Sequence, residues 1–164
     1  MPETEIQTEN DMIARMNAAG DEKLPFVVAI HRRPPPIQGP SIIREAVVGY
    51  AYLKDYGDKT DLPSDTCELK VCTHPYFTGK GIGRSMIDRV LLLTNPKYTS
   101  RGGYVWEDDA DSSQHEPKRV INTINLSLEH EENEKTNFGW VIEMMKRCGF
   151  NKTGKTPGFK KGKV

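Results

Sequence analysis

The segment "TCELKVCTHPYFTGKGIGRSMI", residues 66–87, contains the pattern that decides the fold. Apolar and polar residues alternate up to His74, which predicts a β-strand over residues 66–74. One face of this strand is predicted to carry Cys67, Leu69, Val71 and Thr73, and the other Glu68, Lys70 and Cys72. A glycine-rich, cationic stretch follows and opens an apolar stripe with helical spacing over residues 79–95. This order is typical of an anion site, because the first helical N–H groups and the helix dipole attract a phosphate.

The glycine loop fits neither of two well-known phosphate motifs. A P-loop requires Gly, four residues and then Gly-Lys-Ser/Thr, and no such frame exists around Lys80. A dinucleotide fingerprint requires a further glycine where this sequence has Arg84. Two interpretations remain: a loop for another anion such as a pyrophosphate, and a turn that only caps the helix. Each glycine at a helix start costs roughly 0.5–1 kcal/mol, which favours a bound pyrophosphate.

The rest of the chain predicts a single α/β (α+β) domain over residues 1–164, with a mixed, mostly antiparallel sheet flanked by helices. The predicted elements are an N-terminal helix at 4–19 within residues 1–24, strands at 25–31, 44–56, 66–74 and 119–130, helices at 79–95 and 137–148, and a short strand near the C-terminus. A proline loop (32–41), a turn (57–65) and a polar insertion (96–117) separate them. The insertion is interpreted as a solvated loop, because its "WEDDAD" segment is acidic.

Composition excludes several classes of function. The 23 basic and 23 acidic residues give a formal net charge of +0, so the chain as a whole does not attract nucleic acid. No apolar run approaches the roughly 18 residues of a membrane span. The N-terminal "MPETEIQTEN" is not a secretory signal, and the three cysteines lack the spacing of a disulfide framework or metal site. We therefore expect a cytoplasmic protein with free thiols, without a metal and without membrane contact.

The stretch "HPYFTGKGIGRSMI" (74–87) resembles the acetyl-CoA signature of the GNAT superfamily of N-acetyltransferases. The most similar group is the phosphinothricin-acetyltransferase-like branch. "VVGYAYLKDY" (47–56) is similar to its GYAY strand, "TCELKVCTHP" (66–75) to its glutamate strand, and "RCGFNKTGKTPGFKKGK" (147–163) to its glycine-rich ending. The resemblance covers the chain from about residue 25 onward. It implies a GNAT fold shortened at both ends, because the first strand, one helix and the last strand have no counterpart.

The resemblance also implies the residues of an acetyl-CoA site. Glu68 is the implied general base, with a pKa raised by partial burial; the strand alone equally allows a glutamate on a solvated face, paired with Lys70. The backbone N–H of Cys72 is the implied oxyanion donor, and Val71, Cys72 and Thr73 would pair with the pantetheine arm through their backbones. The implied phosphate contacts are Thr78, Gly79, Lys80, Gly81, Ile82, Gly83 and Arg84.

Further positions carry weaker implications. Asn133 or Asn137 would hydrogen-bond the pantetheine, and Tyr50 and Tyr52 either line the amine pocket or simply pack. Thr78 stands where the family has Gln or Arg, and Met145 stands where many members have a tyrosine as general acid. The general acid therefore stays unassigned.

The predicted function is transfer of acetyl from acetyl-CoA, as co-substrate, to the primary amine of a small molecule such as an amino acid or a toxic analogue. The alternative is a catalytically impaired member that binds CoA or a protein partner. The short ends leave a homodimer open. The lysine-rich tail (152–164) is not expected to bind nucleic acid, because Phe159 is its only aromatic residue.

Overall fold

The computed structural model describes residues 9–33, 44–56, 65–107, 119–127 and 135–154. The described elements are helix α1 (Glu9–Asp21), strands β1 (Phe26–Arg33), β2 (Arg44–Asp55) and β3 (Thr66–Thr73), a 3-10 turn (Pro75–Phe77), helix α2 (Ile82–Thr94), strand β4 (Thr123–Asn125) and helix α3 (Lys135–Arg147). The predicted α+β class, with a mixed sheet and flanking helices, is confirmed. The chain divides into two compact units, 1–129 and 130–164, so α3 is described by itself. None of the described helices is long and apolar enough to cross a membrane.

The four strands lie in the order β1-β2-β3-β4. β1 pairs antiparallel with β2, and β2 with β3, whereas β3 pairs parallel with β4. A parallel pair requires a crossover between its strands, and α2 lies in that crossover. The strand, glycine loop and helix of the decisive segment therefore build the parallel part of the sheet.

α2 packs on the face of β3 that the alternation assigns to the core. Cys67 and Leu69 on this face are fully buried. The helix can approach the sheet because β2 has a glycine here: a Cβ built on Gly49 would lie 3.0 Å from the Cys72 carbonyl oxygen and 3.0 Å from Cε of Met86. Any larger residue at Gly49 would push α2 away from the sheet, since close-packed interiors have little room to yield.

α1 packs on the opposite face of the sheet. Nη1 of Arg15 in α1 donates a hydrogen bond to Oη of Tyr52 in β2 over 2.9 Å. Phe26 of β1 stacks on Tyr52 and Tyr50, with ring centroids 5.4 and 6.1 Å apart. The sheet is thus covered on both faces, as the predicted architecture requires.

The start of α2 differs from its predicted position. The helix begins at Ile82 rather than at residue 79, because Gly79 and Gly81 have φ angles of +73° and +81°, outside the helical region. The residues before them form the 3-10 turn rather than extended chain. The glycines therefore shape a loop before the helix instead of lying within it.

The last strand of the sheet is much shorter than predicted. Of the predicted range 119–130, only Thr123–Asn125 is a strand among the described residues, and Val120 is 74% exposed. Arg119 instead pairs with Asp55, its Nη2 lying 2.5 Å from Oδ1. The alternation of apolar and polar residues in this segment predicts a strand, but it does not tell how many of its residues pair with a neighbouring strand.

The described part of the polar insertion is docked rather than solvated. Asp88 of α2 is 1% exposed, and its carboxylate accepts hydrogen bonds from the Tyr98 hydroxyl (2.8 Å), the Ser100 hydroxyl (2.6 Å), the Arg101 N–H (3.0 Å) and the Tyr104 hydroxyl. Burial raises the pKa of this carboxyl, but the donors outweigh burial and lower the pKa below its ordinary value. The solvated-loop prediction is therefore wrong for residues 98–106, and residues 108–117 lie outside the described ranges.

Candidate functional site

Within the described residues, one edge of β3 is paired along only part of its length. Its register with β4 runs from Thr66 to Glu68, and Glu68 lies opposite Asn125, the last residue of β4. β3 itself continues to Thr73. Among the described residues, no strand accompanies residues 69–73 on this side, and we call this stretch the open edge.

Hydrogen bonds at both ends of the β2–β3 ladder show which backbone groups face the open edge. The Thr66 carbonyl accepts from the Tyr56 N–H over 3.2 Å, and the His74 N–H donates to the Val48 carbonyl over 2.8 Å. Hydrogen-bonded and non-hydrogen-bonded pairs alternate along an antiparallel ladder. The even-numbered residues of β3 therefore bond to β2, and the odd-numbered residues point their N–H and C=O groups away from it.

This alternation changes the candidate oxyanion donor. Cys72 lies opposite Tyr50 in a hydrogen-bonded pair, so its backbone is engaged in the sheet and its predicted roles as donor and pantetheine contact are wrong. Val71 and Thr73 point toward the open edge. Their spacing of two residues suits pairing with an extended chain of amides, as in β-strand addition.

The first turn of α2 lies directly beside the open edge. A Cβ built on Gly83 would be 3.5 Å from Oγ1 of Thr73 and 3.9 Å from Cγ1 of Val71. A Cβ on Gly79 or Gly81 would meet nothing within 4 Å. The loop backbone therefore borders open space where the open edge ends.

The N-terminus of α2 can attract an anion. Gly81 is its N-cap residue, no side chain of the described residues caps it, and the first turn carries no acidic residue. Lys80, Arg84 and the loop glycines before Ile82 are exposed. A phosphate here would meet backbone N–H groups and two cations together.

The hydroxyl of Thr78 is hydrogen-bonded within the turn that precedes this loop. Its Oγ1 donates to the Pro75 carbonyl over 2.9 Å, and its N–H donates to the same oxygen over 3.4 Å. The longer Gln or Arg of the family pattern could reach past the turn, whereas this hydroxyl is held inside it. Lys80 and Arg84 are therefore the side chains near the loop that can contact a phosphate.

Glu68 lies where the open edge begins, on the β3 face opposite α2. Its Oε1 is 2.7 Å from Nζ of Lys70, its Oε2 is 3.2 Å from Nζ of Lys54, and its side chain is 14% exposed. Burial raises the pKa of this carboxyl, but hydrogen bonds and charge from Lys70 and Lys54 outweigh burial and hold the pKa below its ordinary value. The predicted rise in pKa is wrong, the pairing with Lys70 is confirmed, and the carboxylate is ionised at neutral pH.

Sequence reasoning missed Lys54 as the second partner of Glu68. Lys54 lies directly opposite Glu68 in the β2–β3 register, where opposite charges form a stabilising cross-strand pair. The only signal in the sequence was a lysine near the end of the preceding strand. It becomes informative once the register is known, and the sequence between the two strands does not fix the register.

Tyr50 and Tyr52 share the face of Glu68 but are only 7% and 6% exposed. Both stack on Phe26, and the hydroxyl of Tyr52 accepts a hydrogen bond from Arg15. Of the two interpretations that the sequence allowed, the structure favours packing over lining an amine pocket.

The second unit, residues 130–164, is described by itself. Asn133 lies outside the described residues, and Asn137 lies in α3 with its side chain outside the described part, so the contact with pantetheine stays a prediction. Met145 is buried and has no proton to donate, and Trp140 is 61% exposed. Among the described residues, no group of His, Cys, Asp and Glu side chains could hold a metal ion, and the three cysteines are free thiols.

Comparisons with known proteins add no relative. No protein-family model matches the chain, no curated protein matches its sequence, and no solved structure matches its fold at a significant level. Membership of the GNAT superfamily therefore stays a prediction.

Proposed function

We propose that this protein is an acetyl-CoA-dependent N-acetyltransferase that acts on the primary amine of a small molecule. The observation that carries the proposal is that the open edge of β3 leads directly into the glycine loop of α2. Acetyl-CoA has its parts in the matching order, an arm with two amides followed by a pyrophosphate. The amides would pair with Val71 and Thr73, and the pyrophosphate would lie at the N-terminus of α2.

The length of the open edge supports this placement. Thr73, beside the glycine loop, and Glu68, at the other end, are separated along the strand by about 17 Å at the usual strand rise. An extended pantetheine arm can span this distance. With the pyrophosphate at the loop, the thioester would therefore lie near the Glu68 end.

The reaction would then use groups at that end of the open edge. The amine nitrogen attacks the thioester carbon, the carbonyl oxygen gains negative charge, and the C–S bond breaks to release CoA. The backbone N–H of Val71, nearer to Glu68 than that of Thr73, would stabilise the oxyanion, while the Val71 carbonyl and the Thr73 backbone pair with the amides of the arm. The ionised Glu68 would accept the proton that the amine loses, directly or through a water. A thiol is acidic enough, with a pKa of about 8.5, for the leaving CoA to depart without a strong acid.

Gly79→Ala combined with Gly81→Ala is expected to weaken acetyl-CoA binding at least tenfold. Both positions have positive φ, and the added Cβ atoms would project into the space assigned to the pyrophosphate. Gly102→Ala with Gly103→Ala is the matched control, because these glycines also have positive φ but lie in the 98–106 loop. Both double variants should lose similar stability, roughly 1 kcal/mol per glycine. Calorimetric titration and thermal unfolding measure the two effects, and equal acetyl-CoA affinity in both double variants would contradict the proposal.

A second candidate, CoA binding without efficient acetyl transfer, is favoured by one observation. The two lysines that hold Glu68 ionised also make its carboxylate a weak base. In that case acetyl-CoA binds, but no amine in a panel of amino acids, polyamines and peptides is acetylated. Measurable turnover with any of these amines excludes it.

A further inference from the structure

Four ring side chains gather where β3 leads into the glycine loop. Phe77 lies 5.3 Å from His31 of β1 and 5.8 Å from His74, measured between ring centroids. Tyr76 lies 5.4 Å from His74. We call these four residues the ring cluster. Nζ of Lys80 lies 4.7 Å from the Phe77 centroid, so the cluster also holds a cation.

Tyr76 presents its ring to solvent from a turn that is internally hydrogen-bonded. Tyr76 is exposed, with 85% of the residue accessible, as are His31 and His74, whereas Phe77 is half-buried. The backbone N–H of Tyr76 donates to Nδ1 of His74 over 3.3 Å, and the Phe77 N–H donates to the His74 carbonyl over 2.8 Å. An aromatic ring on a fixed backbone loses little conformational entropy on binding a flat group.

The turn and loop that carry Tyr76 have charge of one sign, although Glu45 and Glu107 lie near the β1 side of the ring cluster, paired with Arg32. From His74 to Met86 the sequence contains no acidic residue, while Lys80 and Arg84 are cationic and exposed. Aromatic faces beside cations favour a planar group that carries negative charge, which describes a nucleotide.

We propose that the ring cluster and its neighbouring cations bind the adenosine 3′-phosphate end of CoA, with Tyr76 stacking on the adenine. This inference rests on the proposed function, because it assumes that the pyrophosphate lies at the glycine loop. The adenosine is joined to that pyrophosphate through its ribose, and the 3-10 turn carrying Tyr76 immediately precedes the loop. Lys80 and Arg84 neutralise the 3′-phosphate together with the pyrophosphate, and the His74 ring contacts the Tyr76 ring.

The test uses adenosine 3′,5′-bisphosphate, the nucleotide end without the pantetheine arm, and acetyl-pantetheine, the arm without the nucleotide. Tyr76→Ala is expected to weaken binding of the bisphosphate and of acetyl-CoA about tenfold, a usual loss for one base–aromatic stack. Acetyl-pantetheine should bind wild type and variant equally. Tyr56→Ala is the matched control, since Tyr56 is also exposed but lies at the opposite end of the β2–β3 ladder. Tyr76 is 85% exposed, so the variant should unfold near the wild-type temperature.

The outcomes separate this inference from the proposed function. Unchanged acetyl-CoA affinity in Tyr76→Ala overturns the adenine site and leaves the acetyltransferase proposal standing. Failure of wild type to bind either acetyl-CoA or acetyl-pantetheine overturns both. Tighter binding of a single-stranded oligonucleotide than of the bisphosphate would also overturn the inference, by assigning the ring cluster to nucleic acid.

Discussion

Glu68→Gln is expected to lower kcat for acetyl transfer about 100-fold and to leave the acetyl-CoA Kd within about twofold, since loss of a general base has effects of this size. Glutamine keeps the shape of the side chain and cannot accept the proton of the amine. The change in stability should be small, because the lysine partners of Glu68 are 48% and 32% exposed and solvent screens such pairs. Release of the CoA thiol, followed over a range of amine concentrations, measures kcat.

The pH profile tests the same role independently. Lys70 and Lys54 hold the pKa of Glu68 below its ordinary value, so the carboxylate stays ionised down to about pH 5. Protonation of Glu68 should therefore cause no fall in kcat above that pH. Lys70→Met removes the nearer cation, so the fall in kcat at low pH should begin at a higher pH. Glu143→Gln is the control, because Glu143 also lies between two cations, Lys146 and Arg147, at 3.8 and 3.9 Å, but is exposed on α3. Measurable transfer that Glu68→Gln does not reduce would contradict the base role.

Asp88→Ala is expected to lower the free energy of unfolding by about 3 kcal/mol, because a buried carboxylate with several donors is lost and those donors are left unpaired. The donors come from the 98–106 loop, so this loop should also detach from α2. Urea unfolding monitored by tryptophan fluorescence measures the change in stability. Trp106 reports on the same loop, since its ring centroid lies 5.2 Å from Cζ of Arg89 in α2. Asp21→Ala, at an exposed position at the end of α1, should change stability by less than about 0.5 kcal/mol.

The contribution of Asp88 should depend on pH with a defined sign. Its pKa is lower in the folded chain than in the unfolded chain, so its stabilisation is fully present above the unfolded pKa, near 4, and is lost as pH falls through the folded pKa. The difference in stability between wild type and Asp88→Ala should therefore shrink below about pH 4. A loss under 1 kcal/mol at neutral pH, or a difference that does not vary with pH, would show that the loop is not held by this carboxylate.

The sequence predicted the elements whose signals are local. Alternation in β3 correctly separated the buried Cys67 and Leu69 from the face of Glu68, and helical spacing placed Met86 and Val90 in the core. The strand–helix–strand order required a parallel pair, which β3 and β4 form.

What the sequence did not predict depends on contacts between distant segments. Among the described residues, the open edge results from the end of β4 at Asn125. The Cys72 backbone bonds to β2 because hydrogen-bonded pairs alternate along the β2–β3 ladder, and the register that decides which residues form them is known only from the fold. Partial burial alone predicted a raised pKa for Glu68, whereas Lys70, together with the opposing Lys54 of β2, lowers the pKa below its ordinary value. Similarly, the hydroxyls of Tyr98, Ser100 and Tyr104 in the insertion donate hydrogen bonds to the buried Asp88, a partner that composition does not identify.

Residue-resolved amide hydrogen exchange, measured by NMR with and without saturating acetyl-CoA, tests the cofactor site most directly. If the open edge receives the pantetheine arm, exchange should slow at Val71 and Thr73 and at residues 82–84 of the first turn of α2. Cys72 should change little, because its N–H is already bonded to β2. Unchanged exchange at Val71 and Thr73 under saturating acetyl-CoA would contradict the proposed site.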